Sequence, residues 1–346
     1  MPEDKALDHL ATLRQLSPEG GPIAWDAPSA TINNPRWWDG GKPTQSRQSL
    51  LDKLQREAVS DVPDLRAESR AIVLAGPPGA GKSSIRERVL GPRSDHFLVV
   101  DADDFKERLL REAVADGSYE SWIKPAAVRE LEADGERFHP MELSSLVHAE
   151  SAAMADSLRQ NAIAERKNVI IDTVLSSDTK ARQIMGELER AGYDVQVVDV
   201  EVPREVSEER IRTRWREGNE RAEKGDGLGG RWVPSEFGAW VYGEPGGGSR
   251  PEANARMVAE ESPAVSRYRV YRKRAEQELA DPRAPATLET DMSRATRGGP
   301  LVPTRSGPVA EVPQARALPG ITRTGRTTPA RTTPGRVGPA RADRGR

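Results

Sequence analysis

The chain has 346 residues, a formal net charge of −2 and no cysteine. Disulfides, thiolate metal centres and thiol nucleophiles are therefore excluded, and four histidines without ligand-pair spacing give no zinc site. The longest apolar runs are five or six residues, so neither a membrane span nor a secretory leader is expected, and the cytoplasm is the expected compartment.

Residues 1–65 read as an N-terminal helical arm. Residues 6–13 and 50–59 have helical apolar spacing, and the Pro- and Gly-containing stretch 17–22 breaks the pattern between them. Helices this short do not hold alone, so the arm must dock, and the following domain offers the nearest apolar surface. An arm lying over that domain's cleft would restrain it. Trp25, Trp37 and Trp38 fall between the helices, where packing of the arm accounts for them and a separate partner site is the alternative.

Residues 66–282 carry the main domain. Ala71-Ile72-Val73-Leu74-Ala75 is a short apolar run of the kind that forms a buried parallel strand. It leads into Gly76-Pro77-Pro78-Gly79-Ala80-Gly81-Lys82-Ser83, a complete G-x-x-x-x-G-K-S loop, and from Ser84 the spacing is helical. Strand, glycine loop and helix bring backbone N–H groups and a helix N-terminus onto a polyphosphate. Residues 76–84 are therefore the expected nucleotide site, with Lys82 on the β- and γ-phosphates and the Ser83 hydroxyl on Mg²⁺. The motif alone admits ATP or GTP.

Further strands are expected at 97–100, 169–171, 195–200 and 268–271, and helices at 105–114, 141–166, 179–190, 204–216 and 252–261. Residues 218–230 read as a charged, glycine-rich loop. This alternation predicts an α/β fold, a P-loop NTPase-type parallel sheet covered by helices on both faces.

In such a sheet the ligand lies at the carboxyl ends of the strands. Acids cluster there: Asp101, Asp103 and Asp104 after the second strand, Asp172 after the third, Asp199 and Glu201 on the fourth. Phosphoryl transfer needs a carboxylate for the acceptor's proton, a divalent cation on the phosphates and cations on the transferring group. Asp103 or Asp101 supplies the base, although aspartate here also caps the next helix. Asp172 resembles a Walker B acid that holds Mg²⁺ through water, with a simple turn residue as the alternative. Most arginines between 204 and 216 pair with neighbouring glutamates on a solvated face. Arg231 is the better clamp candidate, since it joins the glycine-rich loop to Pro234, where a lid would close.

Residues 283–346 hold twelve arginines, no lysine and four acidic residues among Pro, Gly, Thr and Ala. They read as a disordered Arg/Pro-rich tail. Without interleaved aromatics the tail cannot stack bases, so nucleic acid is not an expected partner.

These residues together resemble the zeta toxin family, the toxins of bacterial toxin–antitoxin systems that phosphorylate UDP-N-acetylglucosamine. The resemblance spans about residues 66–280. It rests on the loop 76–84, the run Asp101-Ala102-Asp103-Asp104-Phe105-Lys106, the strand 168–173, the spacing from Val202-Pro203 to Arg214, the pair Arg214 and Arg231, and the segment 268–271. It implies an ATP- and Mg²⁺-dependent kinase acting on the 3′-hydroxyl of a nucleotide-sugar substrate, with an antitoxin protein as partner. Asp103 would be the base, Lys82, Arg214 and Arg231 would stabilise the transferring group, and Asp172 and Thr173 would bind substrate. The family's acid is usually followed by Gly-Thr, whereas Thr173 and Val174 follow Asp172 here. The residues themselves leave open an antibiotic or nucleoside/metabolite phosphotransferase of the same class, and a nucleotide-binding interaction protein.

Overall fold

The first 65 residues fold into α1 (Glu3–Leu16), a 3₁₀ turn, the hairpin β1 (Trp38–Asp39) and β2 (Lys42–Pro43), and α2 (Gln45–Ser60), in a computed structural model that describes residues 3–243 and 248–304. Leu10, Leu13, Ile23, Ala27, Leu51 and Leu54 are buried in the same core cluster as the main sheet. Each fully buried Leu or Ile contributes about 1.5–3 kcal/mol, so this segment is part of the core rather than an appendage to it. Its dock is the flank of the helices Ala102–Asp116 and His148–Ala164. Arg47 makes a buried bidentate pair with Glu150, both bonds at 2.6 Å, and Lys53 reaches Glu112 at 2.8 Å.

The main domain then runs β3 (Arg70–Ala75), α3 (Lys82–Leu90), β4 (Leu98–Val100), α4 (Ala102–Asp116), α5 (Ala126–Ala133), α6 (His148–Ala164), β5 (Val169–Asp172) and α7 (Asp178–Arg190). It continues with β6 (Asp194–Glu201), α8 (Arg204–Glu223), α9 (Ser235–Tyr242), α10 (Arg250–Glu261), β7 (Val265–Arg272), α11 (Ala275–Ala280), β8 (Thr287–Ser293) and β9 (Val302–Pro303). The strands form one sheet in the order β4-β5-β3-β6-β7-β8-β9. The first five are mutually parallel, and β8 and β9 add antiparallel pairs at one edge. This is the mostly parallel, helix-flanked sheet that the strand–helix alternation predicts.

The strand feeding the phosphate loop is central. Ala71 to Ala75 are buried without a break because β5 lies on one side, β6 on the other, and helices cover both faces. The chain leaves β3 for the β4 edge, returns through β5, and crosses to β6. The order of strands therefore reverses at β3, and a crevice opens at its carboxyl end. Helix starts are set by their caps: the Asp101 carboxylate accepts from Asp103 N at α4, Ser177 caps α7 and Ser249 caps α10. In α7 the buried Ala181, Ile184, Met185 and Leu188 give one apolar stripe at spacings of three and four.

Several expectations need correction. The helix expected at 141–166 is a 3₁₀ stretch, Pro140–Val147, followed by α6. Met141, Glu142, Leu143, Ser144, Leu146 and Val147 are all buried, so this segment meets the core on several sides and has no solvent face for an amphipathic helix. Helix α8 continues to Glu223, absorbing the first part of the expected loop at 218–230. The tail does not begin at 283, because Thr287–Ser293 pairs with β7 from Thr287 to Ser293 along a register ending at Arg267. The alternation Leu288, Thr290, Met292 was the overlooked strand signal. The disorder expected of 305–346 lies outside the described residues. Among the described residues, no helix is long and apolar enough to cross a membrane.

Candidate active site

The phosphate loop occupies the turn from β3 into α3, at the point where the sheet order reverses. Gly76 has φ +136°, and a Cβ there would collide with the Val200 carbonyl of β6. The first glycine is thus demanded by the neighbouring strand as well as by the turn. The loop is braced from outside by α8. Ser207 Oγ donates to Pro78 O at 2.7 Å, and Arg210 Nη1 donates to the carbonyls of Gly79 and Ala80 at 3.2 and 3.3 Å. Arg210 is itself held by Glu278 of α11, at 2.8 and 3.0 Å.

Lys82, the first residue of α3, folds back over the loop. Its Nζ donates to Gly76 O and Thr173 O, each at 3.2 Å, and pairs with Asp172 Oδ1 at 3.2 Å. Asp172 ends β5, one strand over, so the register of β3 against β5 brings lysine and acid together. Thr173 accepts from Leu175 N at 3.1 Å through its hydroxyl, and Leu175 takes a φ of +57° in the turn that follows. Ser83 and Ser84 are exposed in the first turn of α3. The Ser83 hydroxyl and the Asp172 carboxylate are hard oxygen donors of the kind Mg²⁺ takes. Among the described residues no group of three His, Cys, Asp or Glu forms a metal cage.

The second half of the site starts at the end of β4. Asp101 is committed to its cap, accepting from Asp103 N at 2.9 Å. Burial, followed by the charges of Asp103 and Asp172, pushes its carboxyl up to about 7. Asp103 behaves oppositely. Burial opposes its charge, but Arg231 and Lys106 outweigh burial and hold the carboxyl well below the usual range. Arg231 Nη1 donates to Asp103 Oδ2, and Lys106 Nζ lies 3.1 Å from Oδ1. Two neighbouring aspartates thus differ in their hold on a proton: Asp103 stays ionised, whereas Asp101 titrates near neutrality despite the cap bond that favours its carboxylate.

Lys106 and His148 are site residues that the sequence reading left unassigned. Desolvation lowers the Lys106 ammonium from its ordinary value. His148 is pulled down to about 4 by desolvation and then by Lys106, with Arg231 also contributing, so its ring is neutral at pH 7. The signal for Lys106 was its position three residues after Asp103, which places both on one helix face. No comparable local signal marks His148.

Arg231 and Arg214 both line a cleft of about 690 Å³ beside Gly79, together with Arg111 and Arg221 and the acids Glu107 and Glu217. Arg214 is exposed on α8, whereas Arg231 is partly covered and paired. The structure therefore brings together Lys82, Asp172 and Thr173 on one side and Asp103, Arg231 and Lys106 on the other, and Arg214 faces the same cleft. A second cavity of about 650 Å³ opens at the ends of β6 and β7, lined by Glu201, Arg204, Tyr242, Arg272 and Arg274.

The family model described as Zeta toxin matches residues 57–281, well over half of the chain. Among solved structures, the complex AvrRxo1-ORF1:AvrRxo1-ORF2 with sulphate ions superposes with a TM-score of 0.51 at 18% identity, covering 84% of this chain and 76% of that one. AvrRxo1-ORF1:-ORF2 with ATP also gives 0.51 at 18% identity, covering 83% and 75%. The PezAT chromosomal toxin–antitoxin system of the human pathogen Streptococcus pneumoniae gives 0.45 at 15% identity, covering 72% and 81%. No curated protein matches the chain. At these identities the AvrRxo1 likenesses speak for the fold alone.

Proposed function

Because the chain belongs to the zeta toxin family and is a P-loop phosphotransferase, we propose that it transfers the γ-phosphoryl group of ATP to the 3′-hydroxyl of UDP-N-acetylglucosamine. The observation that carries this reading is two cation–acid pairs at the site, Lys82 with Asp172 and Arg231 with Asp103. Anionic phosphate entering between them offers both cations a second partner. Lys82 turns from Asp172 to the β- and γ-phosphates, and Arg231 turns from Asp103 to the transferring group, joined by Arg214.

That exchange also prepares the base. With Arg231 withdrawn, Asp103 loses the strongest of the charges that depress its carboxyl, and its proton affinity rises. The acceptor oxygen then bonds to the γ-phosphorus, the bond from that phosphorus to the β,γ-bridging oxygen breaks, ADP departs, and the hydroxyl proton passes to Asp103. Asp101 is the lesser candidate, since its carboxylate is engaged in the α4 cap. When bound, Mg²⁺ would neutralise phosphate charge, with Ser83 and Asp172 as its protein oxygens. The four arginines on the larger cleft suit an acceptor that carries a diphosphate. A protein antitoxin and a cytoplasmic location belong to the same reading.

Thr173-Val174 in place of the family's Gly-Thr favours one second reading, a P-loop kinase of another acceptor such as a nucleoside or an antibiotic. The full chain incubated with ATP, Mg²⁺ and a panel of UDP-sugars, nucleosides and aminoglycosides, with products identified by mass spectrometry, decides between them. Phosphorylation of UDP-N-acetylglucosamine is the expected result. Turnover of a different acceptor alone would replace it by the second reading.

A further inference from the structure

Glu142 is buried to 1% exposure in the 3₁₀ stretch between α5 and α6, a position where a carboxylate must be fully satisfied. It is. Its Oε1 accepts from Trp215 Nε1 at 2.7 Å, from Asn219 Nδ2 at 2.8 Å and from His9 Nε2 at 3.1 Å, and its Oε2 accepts from His139 N at 2.7 Å. His9 comes from α1 and turns its other ring nitrogen to Glu136 at 2.8 Å. With a carboxylate on each nitrogen, His9 donates from both, and the two glutamates hold it as imidazolium against the cost of burial. The ring is sandwiched by Phe138 and Trp215, with centroids at 4.8 and 6.0 Å.

The network reaches the site through Asn219. Its side-chain oxygen accepts from Gly230 N at 2.7 Å, and Gly230 is the residue before Arg231. The chain at this point is pressed onto α8. A Cβ on Gly230 would overlap the Trp215 backbone, and one on Gly218 would come within 2.5 Å of Gly230 Cα. A second pin, Met141 N to Leu228 O at 3.0 Å, fixes the same loop from the Glu142 side. Every backbone anchor of the loop before Arg231 thus traces to residues 139–142 or to α8, and His9 supplies the counter-charge of the shared carboxylate.

We infer that Glu142, acting through Asn219 with His9 as counter-ion, is a positioning residue for Arg231, so that α1 belongs to the transfer machinery as an activating element rather than a restraint. The inference rests on the proposed role of Arg231. The phosphate loop has no part in this relay. A guanidinium misplaced by about 1 Å costs on the order of 10²-fold in rate, and Gly230, held by Asn219, is the residue next to Arg231.

The test uses the full chain with Asn219→Ala, Glu142→Gln and His9→Phe, and Leu13→Ala as control. Leu13 is buried on the same helix but touches none of the relay's hydrogen bonds, so its variant reports destabilisation of α1 alone. Expected are a kcat loss of about 10²-fold for Asn219→Ala, with KM for ATP within a few-fold, and the same direction for the other two relay variants. Combined with Arg231→Ala, Asn219→Ala should add almost nothing, as two links of one chain do. Additive losses, or an equal kcat loss in Leu13→Ala, would overturn the inference. A readout independent of the acceptor is the guanidinium NMR signal of Arg231, assigned by its absence in Arg231→Lys. It should shift and broaden in the three relay variants and stay put in Leu13→Ala. An unmoved signal in Asn219→Ala sinks the relay whatever the acceptor is, whereas failure of the UDP-N-acetylglucosamine assay with a moved signal removes only the substrate reading.

Discussion

The phosphate loop and the loop that bears Arg231 meet at one cleft but are specified in different ways. The first is written in eight consecutive residues, between a strand and a helix that would form almost anywhere in a parallel sheet. The second has no such local program. Its conformation comes from Gly218 and Asn219 on α8, from Glu142, which lies 77 positions before Asn219, and from His9 of the first helix. A local motif survives insertion into many surroundings, whereas a loop fixed by distant contacts depends on every segment that supplies them. Lys82 is therefore the robust cation of this site and Arg231 the conditional one.

The sharpest way to break that contrast is Lys82→Ala. Its side chain is partly accessible and its polar contacts are with Gly76 O, Thr173 O and Asp172, so the fold should survive while transfer falls by at least about 10³-fold. Single-turnover rates with ATP, beside a circular dichroism melt, check it. A rate within tenfold of the parent would mean that another cation, Lys106 or Arg214, takes the γ-phosphate.

Next in size is Asp103→Asn. General-base assistance is worth about 10²–10⁴-fold, and ATP affinity should be kept because the loop is untouched. Asp101→Asn should cost far less rate and little stability, since an asparagine oxygen caps a helix about as well as a carboxylate. If the two variants exchange places, the base is Asp101. Arg231→Ala follows, with a loss on the order of 10²–10³-fold. Arg231→Lys should recover little, since one ammonium cannot reproduce a planar fork on a phosphoryl group.

How much of this was legible follows the same contrast. The five parallel strands, the phosphate loop and Asp103 could be read because each is a run of neighbours: β-branched residues, a glycine pattern, an acid at a strand end. Residues 1–65 were legible as two helices but not as core, since the periodicity of residues 6–13 shows an apolar face without saying what covers it. The covering residues lie beyond position 100. Glu142 was hidden inside a run that resembled a long helix, because burial on all sides and a 3₁₀ twist leave no period to detect. The strand at 287–293 was masked by the arginine-rich composition around it, although its own alternation was present. Removal of residues 1–65 should accordingly give an insoluble or unfolded protein rather than a more active one, as six buried apolar side chains leave the core with it.

The smallest expected effect concerns pH, and it separates the surroundings of the two loops once more. Beside the phosphate loop, β6 carries Asp199 and Glu201, both buried. Burial pushes both carboxyls above the ordinary range, Glu201 to about 9, where Asp199 adds to the effect. A carboxyl whose pKa is higher in the folded state than in the unfolded chain stabilises fully only below its unfolded value. That contribution is lost as pH rises through the folded value. Beside the Arg231 loop, Asp103 has the opposite sign: its contribution is present above the ordinary carboxylate range and is lost only in acid. Between pH 5 and 9 the fold should therefore weaken with rising pH, chiefly through Asp199 and Glu201, with Asp101 adding a share and Asp103 none. Glu201→Gln keeps an acceptor for Ser249 Oγ, which lies 2.7 Å from the carboxylate, and removes one titration. Urea melts should show the variant more stable than the parent by about 1 kcal/mol or more at pH 9, with the gap closing or reversing at pH 5. Asp103→Asn should keep most of the slope over that window and trim only the share of Asp101, whose carboxyl the Asp103 charge helps to raise. A slope undiminished in Glu201→Gln and abolished in Asp103→Asn would place the dominant titration on the arginine side of the cleft and reverse the electrostatic difference between the two loops.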